Sequence, residues 1–411
     1  MSNKTNFFIL ILITILAISC SSNEITSPVQ TELPRRLERT EEQLLNSSQL
    51  FGINIFKRIA ETQSDSNVFI SPLSISTALS MALNGARGET YNEMLSTLDM
   101  NGLSIEEINS ASHSLRALLT TLDPKVIFTI ANSVWYRENL TIQADFLQRM
   151  TEYYNAQIEG RDFSNPTIVD EVNNWVKANT NEMIEKVINE IDPAVVMFLI
   201  NALYFNGTWQ KEFNPENTID YLFLTSEGNQ VDCKMMVQDE TYKYFETDQF
   251  QAVDLPYGDG HYSMSVFLPK SNYDLPGLYA ELTSDNWSSW IDRFSEREIR
   301  LLMPKFESEY GLELKDILIA MGMRTAFTGS ADFTRLFAPG GIFISSVLHK
   351  TAIKVNEEGT EAAAVTVITF ERTSAGDENP VMQMDHPFLY VIRENSTGTI
   401  LFIGQMVNPV L

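Results

Sequence analysis

Hydrophobic residues recur at helical spacing in the first half of the chain and at strand spacing in the second. Leu44, Leu45, Phe51, Ile55, Phe56 and Ile59 fall on one face of a helix predicted over residues 43–60. The same spacing predicts helices over 74–83, 90–98, 105–122, 143–154, 166–180 and 312–321. Runs rich in β-branched and aromatic residues predict strands over 125–136, 195–204, 250–255, 262–268, 298–304, 352–356, 388–394 and 400–406. Gly258-Asp259-Gly260 stands between two of these and signals a hairpin turn. Helices gathered early and strands gathered late imply an α+β fold rather than alternating β-α-β units.

One segment alternates differently. After Glu357-Glu358, the small side chains of Gly359, Thr360 and Ala362 to Ala364 cannot build a core, and no metal, phosphate or nucleophile motif accompanies them. In an extended chain Thr360, Ala362, Ala364, Thr366, Ile368 and Phe370 share one uncharged face. Glu361, Ala363, Val365, Val367, Thr369 and Glu371 share the other, with both acids at its ends. Gly359 provides a point at which the chain can hinge. An ordinary edge strand would fit this alternation. The polar run that follows, Arg372 to Pro380, instead reads as an exposed loop open to proteolytic nicking. A latent strand joined to bait describes a trap.

The run Glu357 to Ala364 resembles the hinge of the serpin family. The resemblance extends to Asn67-Val68-Phe69-Ile70-Ser71-Pro72-Leu73-Ser74-Ile75 and to Asn201-Ala202-Leu203-Tyr204-Phe205-Asn206-Gly207-Thr208-Trp209. It continues through Met303-Pro304-Lys305-Phe306, His349-Lys350-Thr351-Ala352, Asp385-His386-Pro387-Phe388-Leu389-Tyr390-Val391-Ile392 and Gly404-Gln405-Met406-Val407-Asn408-Pro409. Each motif is weak alone; together, in the family's order and spacing, they are strong.

The resemblance implies a serpin fold: a large central, mostly antiparallel sheet with flanking helices, further sheets, and a reactive-centre loop at about 357–383. It implies a single-use inhibitor of serine, and also of cysteine, endopeptidases. Such an inhibitor traps the acyl-enzyme by inserting its cleaved loop into the sheet. A non-inhibitory binding or carrier serpin is the alternative. The reactive bond falls at Thr373-Ser374 by the family's usual spacing, or at Arg372-Thr373 if the loop is one residue shorter. Trypsin-like, elastase-like and subtilisin-like targets all stay open. Ser71, Ser74, Asn201 and His349 are expected to form a hydrogen-bonded cluster where the sheet parts. Glu357 and Lys305 are expected to pair at its upper end.

Composition narrows the partners. The chain has 411 residues, 44% hydrophobic, enough for one large core, with no internal repeat or mid-chain linker. Its 54 acids against 29 bases give a formal net charge of -25, which repels phosphate backbones and argues against nucleic acid. The predicted helix over 106–122 contains Arg116 as its sole Lys or Arg, whereas the matching region of heparin-activated serpins is basic, so heparin is not expected. Four scattered histidines and no G-x-S-x-G elbow argue against a hydrolase and against any metal or other cofactor. A monomer is expected.

The N-terminus supplies an address. An apolar run from Phe7 to Ile18 follows Lys4 and ends at Ser19-Cys20, which looks like a bacterial lipoprotein signal with Cys20 as the lipid-bearing residue. A conventional secretion signal cut near Ser19 is the alternative. The expected organisation is a signal at 1–19, a flexible tether at 20–39 and one serpin domain over 40–411. The exported protein would then be lipid-anchored to the bacterial outer membrane, facing the periplasm or the exterior, with the tether reaching roughly 20–25 Å.

Overall fold

The computed structural model describes residues 32–360 and 379–410. Among these residues the chain forms nine α-helices and fifteen strands in two sheets. The helices are α1 (Arg39–Thr62), α2 (Pro72–Leu83), α3 (Gly88–Thr97), α4 (Ile105–Leu119), α5 (Ala144–Tyr154), α6 (Thr167–Asn179), α7 (Leu275–Glu281), α8 (Ser284–Arg293) and α9 (Lys315–Ala320). Strands β1 (Val68–Ile70), β2 (Val126–Arg137), β3 (Gln157–Arg161) and β4 (Met197–Thr208) lie between the early helices. Then come β5 (Ile219–Leu224), β6 (Gln230–Glu246), β7 (Phe250–Tyr257), β8 (Tyr262–Pro269), β9 (Ser295–Pro304) and β10 (Phe306–Glu313). The chain closes with β11 (Leu348–Val355), β12 (Gly359–Thr360), β13 (Val381–Gln383), β14 (Phe388–Glu394) and β15 (Ile400–Met406).

The six-stranded sheet runs β10-β11-β12-β4-β2-β3, and the nine-stranded one runs β1-β15-β14-β8-β7-β6-β9-β13 with β5 beside β6. Among the described strands β2 with β3 and β9 with β13 pair in parallel, and the rest antiparallel. Phe51, Ile55, Phe56 and Ile59 of α1 are fully buried, as their periodicity required. Ser71 caps α2 by accepting from the Ser74 amide, with Pro72 in the first turn.

Two sequence expectations need correction. Residues 312–313, expected to start a helix, finish strand β10, because Leu312 pairs with His349 and Glu313 with Leu348. Residues 32–38, expected in the free tether, are held to the domain, since Leu33 and Leu37 pack on the core. Arg35 pairs with the buried Glu41 at 2.6 Å and donates to the Ser114 hydroxyl. Cys20 and the rest of the expected tether up to residue 31 lie outside the described residues.

The decisive feature is in the six-stranded sheet. Among the described residues β4 and β11 are joined only through β12, two residues long, at one end. Thr360 pairs with Val355 on one side and Gly207 on the other. Below that wedge, among the described residues, no strand pairs with both β4 and β11, and the two strands flank a lane between them.

Candidate functional site: the mouth of the six-stranded sheet

The turn that delivers the chain into this lane is built from Asn356. Its side-chain oxygen accepts from the amides of Glu358 and Gly359, at 3.0 and 3.1 Å, a local turn that asparagine favours. Trp209 donates from its amide to the Glu358 carbonyl and from its indole to the Asn356 carbonyl. Phe213 donates to the Glu357 carbonyl. Gly359 has φ +151°, and a Cβ there would come within 2.2 Å of the Gly207 carbonyl oxygen. Only glycine fits so close a backbone approach.

Thr360 is 3% exposed, and its hydroxyl lies 2.8 Å from that of Tyr257. Tyr257 stacks on Trp209 with ring centroids 4.5 Å apart. Burial pushes the Tyr257 phenol far above its ordinary range, so it remains neutral. Beneath Thr360 a small apolar cavity is lined by Phe69, Leu203, Phe205, Ala352 and Ile353. Side chains following Thr360 on the same face would find apolar surface there.

The Glu357 carboxylate meets Lys305 Nζ at 2.7 Å and accepts from the Thr218 hydroxyl at 2.7 Å. Burial raises the Glu357 pKa, but the lysine and the hydroxyl outweigh it and leave the carboxyl below its usual value. Burial, reinforced by the Glu358 charge, shifts Glu212 the other way.

Deeper along the lane, His349 Nε2 accepts from the Ser71 amide at 3.1 Å, which puts the ring proton on Nδ1. The Ser71 hydroxyl donates to the Leu401 carbonyl, and the Ser74 amide donates to the Ser71 hydroxyl. Burial drives the His349 pKa down to about 3, so the ring is neutral. Asn201 does not join this group. It stands on β4 opposite Asn132 and donates to the Asn132 amide oxygen at 2.8 Å, because the two face each other in the β2–β4 ladder. Among the described residues its own side-chain oxygen is buried without a hydrogen-bond partner.

The structure thus brings Ser71, Ser74 and His349 together, pairs Glu357 with Lys305, and seats Gly359 and Thr360. Glu361, Ala362, Ala363, Ala364, Thr366, Ile368, Phe370, Arg372, Thr373 and Ser374 lie outside the described residues. Sequence reasoning missed Tyr257, Thr218 and Asn356; only Trp209, inside a quoted motif, carried a signal. Among the described residues no cluster of His, Cys, Asp and Glu is placed to hold a metal, and no helix is long and apolar enough to cross a membrane.

Comparison with known proteins agrees with this geometry. The serpin (serine protease inhibitor) family pattern matches residues 46–409. The chain is 32% identical to human neuroserpin over 370 residues, 87% of this chain and 90% of that one. It is similar to the native-state structure of the thermophilic serpin tengpin, with TM-score 0.81 and 33% identity over 91% and 95% of the two chains. It is also similar to human thyroxine-binding globulin, with TM-score 0.82 and 28% identity over 90% and 100%. A hinge seated at the mouth of a parted sheet, carried by a pattern that spans nearly the whole domain, makes this chain a member of the serpins, a family of protease inhibitors and not of enzymes.

Proposed function

We propose that this serpin traps endopeptidases in a single-use reaction. The protease attacks at Arg372-Thr373 or Thr373-Ser374 and forms an acyl-enzyme. The freed strand from Thr360 then enters the lane between β4 and β11. Thirteen residues to Arg372, or fourteen to Thr373, at about 3.4 Å each carry the acylated enzyme on the order of 44–48 Å. Strand addition to a sheet is a general recognition mode, and serpin loop insertion is one of its standing examples. The observation that carries the reading is the lane itself: among the described residues β4 and β11 are joined only at its mouth, by Gly359 and Thr360.

Incubation with trypsin, elastase and subtilisin tests it. An SDS-stable adduct is expected with at least one of them, and cleaved protein should melt well above the intact form. Cleavage without adduct and without added thermal resistance would instead support a binding or carrier role, which the likeness to thyroxine-binding globulin makes the second reading.

The N-terminal pattern supports export and acylation of Cys20, with the protein held at the bacterial outer membrane. Metabolic labelling with a fatty acid should mark the parent protein and spare Cys20→Ala.

A further inference from the structure

Strand β5 joins the two ends of the segment 361–378. Just before β5, the Thr218 hydroxyl donates to the Glu357 carboxylate at the near end. At the far end, the Leu224 amide donates to the Asp385 carbonyl at 2.7 Å, and Gln383 donates to the Tyr221 hydroxyl at 2.8 Å. Both anchors of the intervening segment therefore bond to β5 or to the residue just before it.

The outer face of β5 is unusual for a free edge. Tyr221 and Phe223 turn inward, while Asp220, Leu222 and Leu224 turn outward. Across the ladder they meet Lys234, Asp232 and Gln230. Asp220 and Lys234 cancel in an ion pair of 2.6 Å. Leu222 and Leu224 are 47% and 45% exposed, and Asp232 beside Leu222 has no ion pair among the described residues. Exposed edges are normally blunted with charge, and here two outward leucines stand side by side instead.

We infer that the outer face of β5, with Asp232 of β6, is a docking surface for the body of the endopeptidase that attacks the 361–378 segment. The inference rests on the reading of that segment as protease bait. The partner chemistry is an apolar rim on the enzyme with a lysine or arginine opposite Asp232. A bond held between the two anchors raises the effective concentration of the enzyme body at this face. A second copy of the chain suits it less, since a formal charge of -25 repels its like. The 361–378 segment suits it less as well, because Glu361, Glu371, Asp377 and Glu378 would meet Asp232.

The test is the second-order rate of scission within 361–378 by trypsin, elastase and subtilisin, counting trapped and released product together. The folded parent is compared with Leu222→Ser/Leu224→Ser and, separately, with Asp232→Asn. Melting temperatures verify that each variant is folded, and Asp232→Asn keeps the question open if the double variant is not. A free peptide of the same segment calibrates each enzyme. Scission of the protein should slow about tenfold with at least one enzyme, the order expected for losing one interface anchor. Rates within twofold of the parent for all three enzymes would overturn the inference. So would faster scission by all three, since the segment itself would then be covering the leucines. Absence of any scission in the parent would overturn it too. Because released product is counted, slower scission without any adduct leaves the docking surface standing while the trapping reading fails.

Discussion

At the residue scale, two buried groups at the site contribute to the acid limb of stability, and they act in different windows. His349 is held neutral with a pKa near 3, whereas the unfolded chain protonates it near 6.5. Its contribution is complete above the unfolded value and is lost as pH falls from 6.5 toward 3, by up to about 1.4 kcal/mol per pH unit. Glu357 sits below its ordinary 4.5, so its contribution is present above that value and fades only below it. His349→Asn should flatten melting temperature against pH between 6.5 and 4.5, and Glu357→Gln should flatten it only below 4.5. Thermal unfolding across that range checks both. Gly359→Ala forces a methyl group into the Gly207 backbone. Amide exchange should then accelerate at Trp209, whose N–H bonds the Glu358 carbonyl. The Ser71–His349 link was foreseeable because both residues fall in motifs. Tyr257 was not, since nothing local marks a tyrosine that closes on a threonine about a hundred positions away.

At the element scale, long amphipathic segments were legible and mixed ones were not. The helix around Phe51 to Ile59 announced itself through spacing. Strand β6 stayed hidden because Lys234, Asp239, Glu240 and Lys243 interrupt its apolar alternation, and its register comes from β5, β7 and β9. Leu312 misled for the opposite reason: apolar spacing near α9 ran on into a strand whose identity depends on pairing with β11. The wedge β12 adds a prediction. Thr360 occupies a buried position, so a charge there costs several kcal/mol unless it is paired. Thr360→Arg should turn an inhibitor into a substrate, cleaved at an undiminished rate with no SDS-stable adduct. Stable adducts from that variant would sink the insertion mechanism.

At the scale of the whole molecule, the Glu357–Lys305 pair links the strand leaving the sheet to the start of β10 and the end of β9, so it couples the two sheets through one contact. Lys305 is 37% exposed, and the pair is worth about 0–1 kcal/mol. A double-mutant cycle with Glu357→Gln and Lys305→Met should return a coupling in that range, with the larger effect on the rate at which intact protein loses inhibitory activity. The parted sheet was foreseeable from family motifs alone; no local pattern states that β4 and β11 leave each other unpaired, because a lane is a property of two strands and not of either sequence.

The seat of Thr360 beside Tyr257 also sets a counting rule for everything downstream. Side chains on an inserting ribbon are sorted by odd and even number. Lengthening the bait by two residues keeps that sorting, whereas adding one directly after Thr360 would swing Glu361 and Glu371 toward the apolar side. One residue inserted directly after Thr360 should therefore cost more adduct than two inserted at the same point.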